Sequence, residues 1–384
     1  ILWQRIKTNM LKRACPVCKS TKQIVIQNIQ MNIPKDYHLP DNYDVVECTD
    51  CGMVYADTSA TLEDYDWYYT HFNFYGDDSK DDNSRRYEWM EELLEKYLTK
   101  DSMMLELGAG NGRYSMALKK HGYTGVTATD PSDESVQRLQ DAGVEAYVTN
   151  IYSEVLEREK EKYDAVFLFE VAEHLLAPRR GIANIACMLR TNGYFMVSVP
   201  DYSMIADDMC SIPNYFNLEH INYFSEDSLD TLMAQFKLVR MDQKRIGGDL
   251  VQVYQKVSDK IPFHRDEQTA AAIRQYLNRQ HVRQAQIKER IDQLQKQDRE
   301  LIIWGTGSYV MSLLATTKLG ECKILGFVDN NRIKQGREMY GRPIYAPDYL
   351  QDKQYMVVIC SMLYSEQIRQ QLEDMHTQNE IVIL

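Results

Sequence analysis

Residues 104–113 read MLELGAGNGR, an apolar strand pattern that runs directly into Gly108, Gly110 and Gly112. Glycines at this spacing permit a tight turn and let a ligand approach the backbone where a Cβ would collide. Asp130 closes the next predicted strand, where a carboxylate can accept hydrogen bonds from both hydroxyls of a ribose. The order of strand, glycine turn, helix, strand and acid therefore predicts a nucleotide-binding α/β unit.

Strands and helices alternate along the chain around this turn. The predicted strands cover residues 103–107, 125–129, 163–169 and 194–199, and the predicted helices cover 86–98, 114–121, 132–142 and 181–189. Such alternation is typical of a parallel, doubly wound sheet. A second α/β pattern opens on LIIWGTGS, with predicted strands at residues 301–304, 323–329, 355–360 and 381–384. We therefore expect two α/β domains in one chain.

Three further segments have patterns of their own. Short β-like pieces at residues 23–29 and 43–47 lie between two pairs of cysteines. The acidic, aromatic stretch 64–82 has no clean period, and we expect a loop or an irregular helical segment. Residues 266–298 are charged and amphipathic, and we interpret them as a connecting helix on a domain, because no heptad is sustained as in a coiled coil.

The cysteine pairs are two C-x2-C motifs, Cys15 with Cys18 and Cys48 with Cys51. Each pair can present two thiolates from one tight turn, and four thiolates suit a tetrahedral zinc ion. Such a site is closed to water, so we expect the zinc to hold the fold rather than to catalyse. A zinc ribbon that reads nucleic acid is the usual alternative. The net charge of −12 argues against nucleic acid as the main partner.

Length and composition limit the class of protein further. With 384 residues, 44% of them hydrophobic and 26% charged, the chain is long enough for two or three folded domains. No apolar run approaches the ~20 residues of a membrane-spanning helix, and the first residues lack the apolar stretch of a secretory signal. We therefore expect a cytoplasmic protein without structural disulfides or a membrane partner, as a monomer or homodimer.

The string LELGAGNG, with Glu106 just ahead of Gly108, resembles motif I of the class I S-adenosylmethionine-dependent methyltransferases. The resemblance implies that the turn binds the methyl donor, which carries an ammonium and a sulfonium, and that Asp130 binds its ribose. It also assigns the adenine edge to Asn150 and Ile151 and the end of the fourth strand, facing the donor, to Glu170. Many members of the family have Asp at the position of Asn150. An α/β fold that binds another nucleotide is the alternative.

Two Glu-His pairs follow predicted strands, Glu173 with His174 and Glu219 with His220. Because the methyl donor is already electrophilic, such an enzyme needs a base at the acceptor and a water-poor pocket. The pKa of histidine lies near neutrality, and a neighbouring carboxylate can fix its tautomer. A structural or surface role is the alternative for either histidine. His220 is favoured as the base because its loop should cap the mouth of the sheet, where ligands bind.

The chain as a whole resembles the sugar C-methyltransferases, which act on nucleotide-linked keto-deoxysugars. The resemblance rests on the cysteine pairs, the methyltransferase core, the string EHINYFS at residues 219–225 and the C-terminal α/β pattern. It implies that His220 removes a proton next to a sugar ketone to give an enolate, and that Glu219 orients or assists it. His174 and Tyr69 are further catalytic candidates, although the aromatic residues around Tyr69 could equally pack between domains. Asn217 stands where the family often has a tyrosine.

The resemblance also implies a domain organisation. We expect a class I methyltransferase doubly wound sheet between an N-terminal zinc-binding domain and a C-terminal Rossmann-like α/β domain that holds the nucleotide-sugar. The expected boundaries are 1–62 for the zinc domain, 63–258 for the methyltransferase, 259–299 for the connecting helix and 300–384 for the last domain. In that last domain Gly305 and Gly307 fit a phosphate turn and Asp329 a ribose acid, while a domain that binds nothing is the alternative.

Two other functions stay open at this stage. One is an O-methyltransferase that acts on another small acceptor. The other is a zinc-ribbon interaction protein that retains a non-catalytic methyltransferase fold.

Overall fold

The computed structural model describes residues 11–72, 92–259, 261–351 and 353–384. The helix expected over residues 86–98 is therefore seen only from residue 92, and the expected loop 64–82 only as far as residue 72.

The described chain contains ten α-helices and seventeen strands, which are numbered separately in chain order. The strands are β1 (Gln23–Gln30), β2 (Asn42–Cys48), β3 (Val54–Asp57), β4 (Met104–Leu107), β5 (Val126–Asp130), β6 (Glu145–Val148), β7 (Tyr163–Phe169), β8 (Leu189–Pro200), β9 (Asn222–Tyr223), β10 (Leu238–Ile246), β11 (Asp249–Lys256), β12 (Glu300–Trp304), β13 (Lys323–Val328), β14 (Glu338–Met339), β15 (Arg342–Tyr345), β16 (Met356–Ile359) and β17 (Glu380–Ile383). The helices are α1 (Leu62–His71), α2 (residues 92–97), α3 (Arg113–Lys120), α4 (Asp133–Asp141), α5 (Pro178–Met188), α6 (Ile212–Tyr215), α7 (Glu226–Ala234), α8 (Thr269–Gln297), α9 (Ser308–Thr316) and α10 (Ser365–Asp374).

The chain divides into two compact units that interleave along the sequence. Unit 1 comprises the described residues up to Gln27 together with Val45–Ile205 and Glu219–Ile273. Unit 2 comprises Asn28–Asp44, Ala206–Leu218 and the described residues from Arg274 to Leu384. Unit 2 thus includes Asn28–Asp44, which lies near the beginning of the chain, and Ala206–Leu218, which lies within the methyltransferase pattern. The four-domain division expected from the sequence stays a prediction.

The main sheet of unit 1 has seven strands in the order β10-β11-β8-β7-β4-β5-β6. The strands β4 to β8 run parallel, which confirms the α/β class. One edge differs from the expected parallel sheet, because β11 pairs antiparallel with β8 and β10 antiparallel with β11. The two glycines between β10 and β11, Gly247 and Gly248, have φ of 59° and 99°. This pair permits the tight hairpin turn that reverses the chain.

Strand β7 shows why this sheet is buried on both faces. Its alternate side chains Ala165 and Phe167 belong to one apolar cluster, and Val166 and Leu168 belong to another. All four are fully buried. A strand covered on both sides is expected to be apolar throughout, as the sequence FLF at its end illustrates. Since β4, β5, β7 and β8 are parallel, their carboxyl ends meet along one edge of the sheet, called here the carboxyl edge of unit 1.

A smaller sheet with the order β1-β2-β3-β9 lies beside the cysteine pairs in sequence. Within unit 1, β3 pairs antiparallel with β9, with Tyr55 opposite Asn222. Part of the stretch expected to be irregular is the regular helix α1. A reciprocal cap starts it, since Thr61 Oγ1 accepts from Asp64 N at 3.2 Å and Thr61 N donates to the Asp64 carboxylate at 2.7 Å.

Unit 2 contains a six-stranded sheet in the order β14-β15-β13-β12-β16-β17. Strands β12, β13, β15, β16 and β17 are parallel, and β14 is antiparallel at the edge. The predicted strands at residues 301–304, 323–329, 355–360 and 381–384 each match an observed strand within two residues. The expected connecting helix is α8. Among the described residues, no helix combines the length and the apolar character that crossing a membrane requires.

Candidate active site and cysteine cluster

The glycine turn after β4 adopts the left-handed conformation at all three predicted positions. The φ angles are 71° at Gly108, 55° at Gly110 and 78° at Gly112, values that side chains with a Cβ rarely adopt. A Cβ on Gly108 would lie 2.8 Å from the Val171 side chain. The Gly108 N–H donates to the Thr129 carbonyl at 2.8 Å, which holds the turn against the end of β5. The turn thus leaves its backbone close to the carboxyl edge.

Asp130 stands where β5 ends, and its carboxylate meets the glycine turn. One oxygen accepts from the Gly110 N–H at 2.8 Å, and the other accepts from the Ser132 N–H at 2.9 Å. The residue is buried, and burial raises the pKa of its carboxyl group, although the two N–H donors act in the opposite direction. Each carboxylate oxygen has more than one lone pair, so the predicted ribose contact fits this position.

Glu106 has a partner inside the fold. Its carboxylate accepts from the Ser115 N–H at 3.0 Å and from the Ser115 hydroxyl. Burial raises its pKa to about 7, although the bonds from Ser115 lower it. The carboxylate therefore anchors the first turn of α3 behind the glycine turn. A contact between Glu106 and the methyl donor stays a prediction.

The remaining predicted cofactor residues lie at two places. Asn150 follows β6, and its side chain accepts from the Tyr152 N–H at 2.9 Å and donates to the Asp66 carboxylate at 3.1 Å. Ile151 is buried in the apolar cluster that covers one face of the sheet. Glu170 is exposed directly after β7 and has a φ of 57°, a strained value for a residue other than glycine. Strain of this kind is characteristic of functional sites.

The two predicted catalytic histidines lie side by side. The ring centroids of His174 and His220 are 4.9 Å apart, and the rings are nearly perpendicular. His174 Nε2 is 3.7 Å from the carboxylate of Glu173, which is only 1% exposed. Glu173, His174 and His220 are called here the histidine cluster. One possible metal-ligating atom from each member lies within 4.8 Å of the others.

Burial keeps both imidazoles of the cluster neutral near pH 7. It lowers the pKa of His174 to about 4. The pKa of His220 falls to about 3, mainly through burial and secondly through the charge of His174, while Glu219 acts in the opposite direction.

Tyrosines and Glu219 surround the histidine cluster. The Tyr69 hydroxyl lies 3.2 Å from His174 Nδ1, and the Tyr202 hydroxyl lies 3.2 Å from His220 Nδ1. The Tyr68 hydroxyl donates to the Glu219 carboxylate at 2.7 Å. Sequence reasoning missed Tyr202, although its position just after β8 places it at the carboxyl edge.

Asn222 joins the two segments that carry the histidines. Its side-chain amide donates to the carbonyls of Ala172 at 3.0 Å and Leu175 at 2.8 Å, and the Ile221 N–H donates to the Glu173 carbonyl at 2.9 Å. Asn222 is completely buried. Its position within EHINYFS was visible in the sequence, but its role was not, because the contact spans about 50 residues.

Arg13 extends this connection to the cysteine region. Its guanidinium donates to the Leu176 carbonyl and to the Asn222 side-chain oxygen, both at 2.8 Å, and to the Ile221 carbonyl at 3.3 Å. Arg13 lies two residues before Cys15. No local motif indicates this role, because these partners are more than 160 residues away.

The four predicted metal ligands converge at one point. Cys15 Sγ lies 3.6 Å from Cys51 Sγ, Cys18 Sγ lies 3.5 Å from Cys48 Sγ, and all four sulfur atoms are within 4.8 Å of one another. A tetrahedron of sulfurs with the usual Zn–S distance of ~2.3 Å has edges of ~3.8 Å. The cluster therefore fits zinc and could form a zinc site. Gly52 has a φ of 80°. A Cβ at this position would collide with the Asp266 backbone, so no side chain fits here.

Comparisons with known proteins agree with this geometry. Residues 82–239 match a family model described as "Methyltransferase domain", and residues 297–383 match one described as "C2185-like, N-terminal". A ubiquinone biosynthesis O-methyltransferase of Coxiella burnetii (strain Dugway 5J108-111) is 28% identical over 110 residues, which are 27% of this chain and 47% of the relative. A ribosomal protein L11 methyltransferase of Dictyoglomus turgidum (strain DSM 6724 / Z-1310) is 29% identical over 109 residues, 28% of this chain and 36% of the relative.

The chain thus spans less than half the length of these relatives. Among solved structures, the PH0226 protein from Pyrococcus horikoshii OT3 is similar with a TM-score of 0.40 and 20% identity, over 50% of this chain and 98% of that chain. The family match at residues 82–239 includes the glycine turn, Asp130 and His174. This chain therefore contains a class I S-adenosylmethionine-dependent methyltransferase domain.

Proposed function

We propose that the protein transfers a methyl group from S-adenosylmethionine to the carbon next to the ketone of a nucleotide-linked deoxysugar. S-adenosylmethionine, when bound, supplies an electrophilic methyl group. The residues that would hold it are the glycine turn, Asp130, Asn150, Ile151 and Glu170. The task left to the protein is to generate a nucleophile on the acceptor by removing a proton.

One observation carries the proposal: the glycine turn and the histidine cluster are linked along the carboxyl edge. Gly108 packs against Val171, the Val171 carbonyl accepts from the His174 N–H at 3.0 Å, and the Glu173 carbonyl accepts from the Ile221 N–H at 2.9 Å. Ile221 directly follows His220. A donor on the turn and a base on the loop would therefore face the same edge, as group transfer requires.

His220 is proposed as the base that takes the proton. Burial lowers its pKa and keeps the imidazole neutral, with a lone pair at neutral pH, so the imidazolium must be stabilised when the proton is taken. The Glu219 carboxylate favours the imidazolium that forms, and Tyr68 holds that carboxylate. We assign Tyr202 and Tyr69 to orienting the two histidine rings through their hydroxyl groups.

The cysteine cluster is proposed to hold a structural zinc ion. Four thiolates leave no ligand position for water, so such an ion would stabilise the fold and take no part in the transfer. The proposed compartment is the reducing cytoplasm, in which cysteine thiolates stay available to bind zinc.

Unit 2 is proposed to bind the nucleotide part of the substrate. Gly305 has a φ of 118° after β12, and Asp329 follows β13, as in the first α/β pattern. The match of residues 297–383 to a separate family model is consistent with a module of its own.

O-methylation of another small acceptor is the second candidate. It is favoured by the name of the Coxiella burnetii relative, an O-methyltransferase that shares 110 aligned residues. A hydroxyl acceptor would use the same donor site and the same base, so the position of the new methyl group decides between the two.

The deciding experiment incubates the full chain with the methyl donor and matched pairs of nucleotide-sugars that differ only in a keto or a hydroxyl group. We expect a mass gain of one methylene for keto acceptors alone, with the label on carbon by NMR. Methyl on oxygen would replace the first candidate with the second. Failure to bind S-adenosylmethionine by calorimetry would instead favour a non-catalytic fold.

A further inference from the structure

The histidine cluster combines two imidazoles with a carboxylate at short range. A ligating atom from each of Glu173, His174 and His220 lies within 4.8 Å of the other two. The Glu173 side chain is almost completely buried, and the His174 side chain is 19% exposed. A buried carboxylate is normally paired with a charged group or bound to a cation. This cluster therefore differs from a group of solvated surface residues.

The hydrogen bonds of His174 determine which of its nitrogens is available. His174 Nδ1 lies 3.1 Å from the Glu219 carbonyl, which can only accept a hydrogen bond. The Tyr69 hydroxyl, 3.2 Å from the same nitrogen, can either donate or accept. In the tautomer that donates from Nδ1 to the Glu219 carbonyl, Nε2 presents its lone pair towards the Glu173 carboxylate at 3.7 Å. Two electron-pair donors that face each other at this distance attract a cation between them.

The hydrogen-bond partners of His174 and His220 resemble those that surround the histidine ligands of a metal ion. Such a histidine usually donates its second N–H to a carbonyl, a carboxylate or water, which fixes the ring and its tautomer. The Glu219 carbonyl plays this part for His174, and the Tyr202 hydroxyl lies at His220 Nδ1 at 3.2 Å. The buried amide of Asn222 fixes the spacing of the two ligand-bearing segments.

We propose that Glu173, His174 and His220 form a second metal site, distinct from the cysteine cluster, for a divalent first-row transition ion such as Zn²⁺ or Co²⁺. Imidazole and carboxylate ligands suit these ions, whereas Mg²⁺ and Ca²⁺ prefer oxygen ligands alone. Three protein ligands leave at least one coordination position open.

The site has a consequence that rests on the proposed function. A metal-bound imidazole has no lone pair with which to accept a proton. Excess transition metal at this site therefore inhibits methyl transfer that uses His220 as the base. Zinc at the cysteine cluster supports the fold, and zinc at the histidine cluster stops turnover.

The test titrates Co²⁺ into the full chain whose cysteine cluster has been loaded with zinc, without methyl donor or acceptor. We expect one Co²⁺ to bind with visible d–d absorption and without the charge-transfer bands of a cobalt thiolate. The variant Glu173→Gln should weaken this binding at least about tenfold, because it removes one of three ligands. His376→Asn, at an exposed histidine of unit 2, is the matched control and should bind as the wild type does.

A second variant keeps the test decisive where Glu173→Gln does not fold. His220→Asn removes a different ligand and should weaken Co²⁺ binding to a similar extent, with circular dichroism confirming the fold. Equal Co²⁺ affinity in the wild type and in the folded variant would overturn the site, as would thiolate bands alone. Because binding is read without turnover, a chain that binds Co²⁺ but methylates nothing would refute the proposed function and leave the metal site standing.

Discussion

The glycine turn after β4 in unit 1 and the glycine turn after β12 in unit 2 both lie between a strand and a helix. They differ in the hydrogen bonds of the acid that ends or follows the next strand, Asp130 in unit 1 and Asp329 in unit 2. In each, the first glycine N–H donates to a carbonyl at the end of the neighbouring strand at 2.8 Å, from Gly108 to Thr129 and from Gly305 to Val328. In unit 1, Asp130 accepts from the backbone N–H groups of Gly110 in the turn and of Ser132, and it also has a side-chain hydrogen bond with Ser135 in α4, outside the turn. In unit 2, Asp329 accepts from the hydroxyl of Thr306 within its own turn and from a backbone N–H.

This difference shows what a local pattern does and does not determine. Strand, glycine and helix place a turn at the same point in both units, although its backbone differs, because Gly112 has a φ of 78° and Gly307 has a φ of −90°. Ligand chemistry depends on which side chains the rest of the unit brings to the edge. The turn of unit 1 is linked to the histidine cluster, which lies in the same unit. The following experiments test that contrast.

The largest effect is expected from His220→Asn in unit 1. Removing a general base typically lowers turnover by about 10²–10⁴-fold. The affinity for S-adenosylmethionine should stay close to that of the wild type, because the donor-binding residues are untouched. His376→Asn in unit 2 serves as the control. Steady-state kinetics with a keto acceptor that show unchanged turnover in His220→Asn would remove this residue as the base.

The pH dependence of stability is the next largest effect. The pKa values of about 4 for His174 and about 3 for His220 lie below the ordinary 6.5, so below pH 6.5 the unfolded chain binds protons that the folded chain does not. Their contribution to stability is complete above pH 6.5 and is lost as the pH falls towards 4, by about 1.4 kcal/mol per pH unit for each histidine.

The measurement compares urea unfolding of the wild type and of a His174→Asn, His220→Asn variant between pH 7.5 and 5. Glu106, whose pKa burial raises to about 7, gives a dependence of opposite sign in both proteins. The difference between the two curves therefore isolates the histidines. An identical pH dependence in both would contradict the burial of neutral imidazoles.

The acids of the two turns provide a matched pair of variants. Asp130→Asn should weaken S-adenosylmethionine binding about 10- to 100-fold, since hydrogen bonds to a charged group contribute about 1.5–3 kcal/mol. Asp329→Asn should leave that affinity within about twofold, because Asp329 is not among the residues proposed to hold the donor. Calorimetry reads both. A larger loss from Asp329→Asn would reassign the donor site to unit 2.

The smallest effect concerns two glycines that differ in conformation. Gly112 has a φ of 78°, and its added Cβ would meet the Leu139 side chain at 2.6 Å, so Gly112→Ala should cost about 1–2 kcal/mol of unfolding free energy. Gly307 has open space and no positive φ, and Gly307→Ala at the start of α9 should cost less than about 1 kcal/mol. Thermal or urea unfolding compares them, and equal costs would contradict the contrast.

Much of the fold could be predicted because it depends on local patterns. Strand β7 matches its prediction to the residue, and α8 lies within the predicted stretch. The hairpin of β10 and β11 was missed. The residues MDQKRI in β10 give little strand signal, whereas LVQVYQ in β11 and the glycine pair before it are signals that were overlooked. The capped start of α1 was also missed, although Thr61 and Asp64 stand at capping-box spacing.

The candidate site was only partly predictable for a related reason. The glycines, Asp130 and the four cysteines act at short spacings, and their motifs are visible in the sequence. The pairing of His174 with His220, and of each with a tyrosine, depends on strands that end at one edge. Asn222 and Arg13 act through carbonyl groups of distant segments, and carbonyls carry no sequence signature.

The guanidinium of Arg13 has one more consequence. It fastens the segment just before the first cysteine knuckle to the segments that follow the two histidines, through the Leu176 and Ile221 carbonyls and the Asn222 side chain. We therefore expect that opening this knuckle, through chelation or thiol oxidation, affects more than the cysteine region itself. We expect it to loosen the loop that presents His220 as well, so the redox and metal state of the four sulfurs would affect the proposed proton transfer.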